Sequence, residues 1–303
     1  MEVDKREKNM SVLVCQNLTY ERNNNQLIKD FSYNFLEKKV YAIIGKSDSN
    51  SRDLLNLLCA KNKPTSGIVY LDGKEFWNDT EISNRVCFIP NDTKFPPQLK
   101  LLDIFKLMNT NYPKWDNYYA YELLNYFNIN PKAKFSSLQH NEKSLLFAII
   151  SLASKADITI MDNPVGDADI KARFDFYNFL FKHQATYPRT FIISTELIEE
   201  MAFAVDKILL LDKGVLIENF TSKEIKQNFC YLTGKTDVLR GLISGLKIIG
   251  YEEHGQTLTV CCSQKLNKDL IRKFQKYFIT ISEVPIQKVL IYLINLRERK
   301  GIN

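Results

Sequence analysis

Four short runs in this chain are largely apolar: KVYAIIG, ADITIMD, TFIIST and KILLLD. An apolar run of four to eight residues without alternation fits a strand covered on both faces, as in a parallel sheet with helices on either side. The stretches beside them, DLLNLLCAK, ARFDFYNFLFKHQ and LIEEMAFAV, carry helical spacing instead. Strand and helix therefore alternate up to about residue 220, which predicts one α/β domain.

Around that frame, SVLVCQNLTY reads as an edge strand, with FSYNF returning beside it through an Asn-rich turn. GIVYLDGK is a strand ending in an Asp-Gly turn, and VCFIP is stopped by Pro90. Residues 99–155 are mostly helical, giving a helical subdomain over about 95–150. KILLLDKGVLIEN predicts a closing hairpin. Residues 221–235 read as a linker. Residues 236–303 read as a small C-terminal α+β domain with one hairpin and two helices.

The net charge is +6, spread along 303 residues. A nucleic-acid footprint is a clustered basic face, so the expectation is no nucleic acid. The six cysteines lack metal-ligand spacing and mostly sit in apolar runs, as small buried hydrophobes do in a reducing compartment. Cys261 and Cys262 should face opposite ways along a strand. No metal site is expected from these residues. MEVDKREKNM offers no apolar signal region, and no apolar stretch reaches the length that spans a bilayer. Lone histidines such as His140 and His183 are expected at the surface or in local bonds. The aromatics of FDFYNFLF are expected in the core, and Glu199–Glu200 on a solvated helix face.

IIGKSDSNSRDLLNLL has the outline of a phosphate-binding loop, strand then polar loop then helix. PTSGIVYLDGK, FIPND, TIMDNPVGDAD, FIISTELIEE and LDKGVLIE follow it in an order and at intervals that resemble the ATP-binding subunits of ABC transporters. The resemblance covers roughly residues 11–220. YPKWDNYYAYELLNYFNI looks like the helical segment of two-gene peptide and antimicrobial exporters. The resemblance implies a P-loop (RecA-like) parallel sheet with antiparallel edge strands and a helical subdomain. It also implies head-to-tail pairing around ATP.

Position by position, the resemblance implies a damaged site. Gly45 and Lys46 open the loop, but Asn50 stands at its second glycine and Ser51 at its lysine. Arg52 replaces the magnesium-binding hydroxyl, and Asp53 adds a carboxylate in the first turn of the helix. Asp48 or Asp53 is expected to satisfy the free N–H groups of that helix from within. Asp162 keeps the position that holds magnesium. Asn163 takes the place of the general base, and an amide cannot accept the proton. Glu196 takes the place of the switch histidine, and Asn91 that of the Q-loop glutamine. Arg22 aligns with the adenine-stacking aromatic, and Tyr20 lies two residues away. LQHNE, which is Leu138, Gln139, His140, Asn141 and Glu142, falls at the signature that caps a partner's ATP, and Asp169 at the D-loop.

The expectation is a catalytically degenerate ATP-binding-type subunit in peptide or antimicrobial export, cytoplasmic and peripheral at the inner face of the membrane. Its partners would be a transmembrane subunit and a second ATP-binding subunit. ATP and magnesium are expected only if residual binding persists. Two alternatives stand beside this: an active but atypical ATPase using Lys46 or Arg52, and an interaction protein not tied to a membrane.

Overall fold

A computed structural model describes residues 11–46, 49–77 and 84–299. By contacts they form two units. The larger runs to Glu196 and resumes over Ala204–Asn219; the smaller takes Leu197–Phe203 and everything from Phe220.

In the larger unit, β1 (Ser11–Arg22) and β2 (Asn25–Leu36) form a hairpin. Its turn, Asn23-Asn24, has both residues at positive φ, as a two-residue primed turn requires. β1 is not an edge strand. It also pairs with β4 (Ser66–Leu71), inside an antiparallel sheet ordered β2-β1-β4-β5, where β5 is Lys74–Glu75. Its second partner lies some fifty residues downstream, and the strand's own pattern does not announce it. The Asp72-Gly73 turn joins β4 to β5 as expected, both residues at positive φ.

β3 (Val40–Ile44) is buried throughout and leads into α1 (Ser51–Leu58), which buries Leu54, Leu55, Leu57 and Leu58. β6 (Val86–Phe88) precedes the helical region of α2 (Leu101–Asn111), α3 (Asn117–Tyr126) and α4 (His140–Ala153). From Ser144 onward α4 is buried on every side, so its hydrophobicity marks an interior helix rather than an amphipathic one. Then follow β7 (Ile158–Asp162), α5 (Ile170–Thr186), β8 (Thr190–Ser194), β9 (Lys207–Asp212) and β10 (Val215–Phe220). The sheet order is β10-β9-β3-β8-β7-β6, with parallel pairing of β3 to β8 and β9, of β7 to β8, and of β6 to β7. Ser194 stands in register with both Ile43 and Asp162. The loops leaving β3, β7 and β8 therefore emerge together at the carboxyl edge, where open α/β sheets place their ligand crevice.

Some local expectations give way to tertiary contacts. LIEEMAFAV forms one 3-10 turn, Ile198–Glu200, not a helix. The Glu199 carboxylate accepts the Gln287 N–H at 3.0 Å, and the Ala202 carbonyl accepts the Ser222 hydroxyl at 2.9 Å. Those bonds override good helix formers, so Glu199 and Glu200 share no helix face. In α5, Phe176 and Tyr177 are buried as expected, while Phe174 is 60% exposed. His183 lies in the interior, its ring stacked 4.9 Å from Tyr119, and not at the surface.

Residues 221–235 are folded rather than a linker. Thr221 and Glu224 form a capping box at the start of α6 (Ser222–Asn228), and β11 (Cys230–Lys235) is an inner strand of the smaller unit's sheet. The box is a local signal, whereas the half-buried pattern of β11 gives little periodicity to read. α7 (Thr236–Leu242), β12 (Ile248–His254), β13 (Thr257–Cys262), α8 (Lys268–Lys276), β14 (Thr280–Ser282) and α9 (Ile286–Arg299) complete the unit. The antiparallel order is β12-β13-β11-β14, and Leu232, Leu239, Leu258, Val260, Phe274 and Ile279 share one core. Cys261 and Cys262 are both buried with free thiols. Among the described residues no helix is long and apolar enough to cross a membrane.

Candidate functional site

At the end of β3 the chain turns sharply at Gly45, where a Cβ would collide with Ser49 and with the Leu211 carbonyl. The Lys46 carbonyl accepts the Ser49 N–H at 2.9 Å. Ser47 and Asp48 lie outside the described residues, and with them the reading of Asp48 as a cap. Asn50 is the N-cap of α1 in the left-handed region, φ 60, a conformation Asn tolerates. Its side chain makes no cap bond; its amide donates to the Leu27 carbonyl at 2.9 Å. Ser51 opens the helix. The Asp53 carboxylate, expected to cap from within, pairs with Arg22 at 3.2 Å. A guanidinium is a stronger partner for a carboxylate than the neutral N–H groups of its own turn. Tyr20 turns its ring to the core and its hydroxyl to the Asn62 amide at 3.2 Å.

The centre of the site is Asp162, at the end of β7. One of its oxygens accepts the Ser194 hydroxyl at 2.6 Å, and the other lies 3.6 Å from Arg52 Nε. Arg52 Nη2 pairs with Asp92 Oδ1. One guanidinium thus serves two carboxylates. Asn91 donates its amide to the carbonyls of Asn163 at 3.1 Å and Asp162 at 3.4 Å, holding the loop after β6 to the loop after β7. Asn163 sits at φ 44 with its N–H on the Ser194 carbonyl at 3.0 Å. Its side chain occupies the space over Gly166 that a Cβ there would need. Glu196 is exposed, just beyond Thr195, whose N–H donates to Ile43 at 3.2 Å.

The signature positions gather at the starts of two other helices. Leu138 is buried, and Gln139 is the N-cap of α4 with its N–H on the Glu142 carboxylate at 2.8 Å. His140 Nε2 lies 3.1 Å from Asp167 Oδ2, and Asn141 is in the first turn. Asp169 caps α5 by accepting the Ala172 N–H at 2.9 Å. Among the described residues no hydrogen bond or ion pair joins this group to the Asp162 cluster. No set of three His, Cys, Asp or Glu with metal-holding geometry occurs among them either.

Three participants escape a reading of the sequence: Asp92, Ser194 and Asp167. Asp92 and Asp167 stand within the recognised segments FIPND and TIMDNPVGDAD. Their charge, next to Asn91 for Asp92 and near Asn163 for Asp167, was the available signal. Ser194 joins only because β7 and β8 are neighbours in register.

The sequence profile of the ABC transporter family matches residues 28–166. The ABC transporter ATP-binding protein YtrB of Bacillus subtilis (strain 168) is 22% identical over 205 residues, 68% of this chain and 70% of that protein. The structure of an ATP-binding subunit of an ABC transporter superposes with a TM-score of 0.64 at 14% identity, over 71% of this chain and 92% of its own. The dimeric structure of the bacterial ABC transporter cassette MJ0796 superposes with a TM-score of 0.61 at 21% identity, over 69% of this chain and 98% of its own.

Proposed function

We propose that the larger unit of this chain, which is similar to ABC transporter ATP-binding domains, belongs to a subunit that no longer hydrolyses ATP and serves its transporter as a structural or regulatory partner. The observation that carries this reading is the Arg52 guanidinium lying between Asp162 and Asp92. The carboxylate that would hold magnesium is already neutralised by a cation of the protein, and the residue that would add a hydroxyl ligand is that cation. These residues do not fit a magnesium ion. Asn163 has no basic oxygen to take a proton from water. Ser51 supplies no charge to a triphosphate, and Arg52, the nearest substitute, is committed to two acids. Each hydrogen bond to a charged group contributes about 1.5–3 kcal/mol, so losing two or three lowers nucleotide affinity by several factors of ten.

The same reading places the chain against a transmembrane subunit at the inner membrane face and beside an intact ATPase. The YPKWDNYYAYELLNYFNI segment points to peptide or antimicrobial export. Two measurements test it: calorimetric titration with Mg-ATP, and co-purification of the full chain with the products of neighbouring genes. The expected result is no saturable binding below about millimolar ATP, with a membrane protein and a second ATPase recovered. Tight binding that Arg52→Ala abolishes would instead favour the atypical active enzyme.

A further inference from the structure

In the smaller unit, α8 ends in a complete Schellman motif. The Ile279 N–H bonds the Phe274 carbonyl at 3.0 Å, and the Phe278 N–H bonds the Gln275 carbonyl at 3.1 Å. Phe274 and Ile279 meet in the core behind it. The residue between the last helical position and that anchor must be left-handed, which is why glycine or asparagine usually fills it. Here it is Phe278, at φ 56 and 93% exposed. A bulky side chain in that conformation is strained, and an aromatic ring held in water forgoes its burial free energy. Both features are unfavourable for the folded chain alone. Tyr277 beside it is 47% exposed.

The charge around this ring has one sign. From Lys265 to Phe278 five basic residues, Lys265, Lys268, Arg272, Lys273 and Lys276, accompany one acid, Asp269, a net of +4. All five are exposed, and none makes an ion pair among the described residues. Elsewhere in the same unit two cations are paired, Arg240 with Glu253 at 2.9 Å and Lys288 with Glu252 at 2.7 Å.

We propose that the C-terminal end of α8 is a membrane-docking knob: Phe278 and Tyr277 insert at the interface of an anionic bilayer, and the α8 cations rest on its headgroups. Aromatic rings flanked by lysine and arginine sit at that depth, and each lysine or arginine near such a surface contributes attraction that salt screens. Single-stranded nucleic acid is held instead along a groove with several stacking platforms. Here the apolar element is the adjacent Tyr277–Phe278 pair at a helix end. The contact is direct and does not depend on the fate of the Asp162 site.

The test is co-sedimentation of the full chain with neutral phosphatidylcholine vesicles and with vesicles containing about one-third phosphatidylglycerol, at low and high salt. The chain is expected to pellet with the anionic vesicles alone and to release at high salt. Phe278→Gly should weaken that binding by about tenfold or more without lowering Tm, because glycine is unstrained at this φ. Lys273→Glu with Lys276→Glu should abolish it. Failure to bind anionic vesicles, or unchanged binding by Phe278→Gly, overturns the proposal. So does tighter binding to an RNA homopolymer, which would assign the face to nucleic acid.

Discussion

Arginines at the end of β1 and the start of α1 and the cations of α8 carry the same charge and stand in opposite circumstances. Arg22 and Arg52 each meet a carboxylate, Asp53 for the first and both Asp92 and Asp162 for the second. The five cations on and before α8 meet none among the described residues. Both regions carry basic side chains. Pairing separates them: a cation already facing acids has little field to offer a phosphate, while an unpaired cluster beside an exposed ring keeps its field for a partner. The difference teaches that, among the described residues, basic side chains are matched by acids around Asp162 and left unmatched on α8.

The comparison can be strained hardest by adding a cation where none can be paired. His183 is buried near Arg189 and Lys155. Burial, reinforced by those two charges and only partly offset by Asp116, pushes its pKa down from 6.5 to about 3. A base with a depressed folded pKa binds its proton more readily unfolded. Stability should therefore fall as pH drops below about 6.5, levelling off near 3. The expected slope approaches 1.4 kcal/mol per pH unit. Urea unfolding at pH 6.5 and near pH 4.5 (about two units lower) should show a loss smaller by roughly 2 kcal/mol in His183→Gln. An identical acid slope in the variant would mean the interior tolerates that charge.

A smaller effect is expected where the pairing is partly exposed. Asp162→Asn removes the acceptor shared by Ser194 and Arg52, and should lower stability by about 1–2 kcal/mol once solvent screening is allowed for. A double-mutant cycle with Arg52→Ala should return a coupling near 1 kcal/mol. Coupling near zero would mean the guanidinium merely rests there and leaves the metal seat available. The smallest effect belongs to α8. Lys273→Gln with Lys276→Gln should change stability by no more than about 0.5 kcal/mol, the share of their interaction with the helix C-terminus, while vesicle binding weakens. A larger stability loss would reveal partners for these lysines in the fold.

Much of the larger unit was legible because its signals are local. The apolar runs KVYAI, ITIMD and TFIIS become buried strands, and Asp72-Gly73 and Lys213-Gly214 become turns with both residues at positive φ. The chemistry of Asn163 and Ser51 was legible by type, since an amide carries no base and a hydroxyl no charge wherever the side chains point. Their partners were not legible. That Asp53 faces Arg22, or that Asp162 holds both Ser194 and Arg52, depends on which strands are neighbours and in what register. The same holds for β11, an inner strand read as a linker, and for LIEEMAFAV, whose propensity lost to bonds from Gln287 and Ser222.

The sequence by itself determined most strands and helices of the larger unit and the functional groups present at Ser51, Arg52, Asp162 and Asn163, because backbone periodicity and side-chain chemistry are properties of residues and their near neighbours. Tertiary structure alone decided how the remaining charges were used. It brought Arg52 to two acids, Asp162 at the end of β7 and Asp92 after β6, and it left Phe278 in the open at a helix end anchored by buried Phe274 and Ile279. Electrostatic pairing and burial are set by distance in space, and that distance exists only once the sheets have formed.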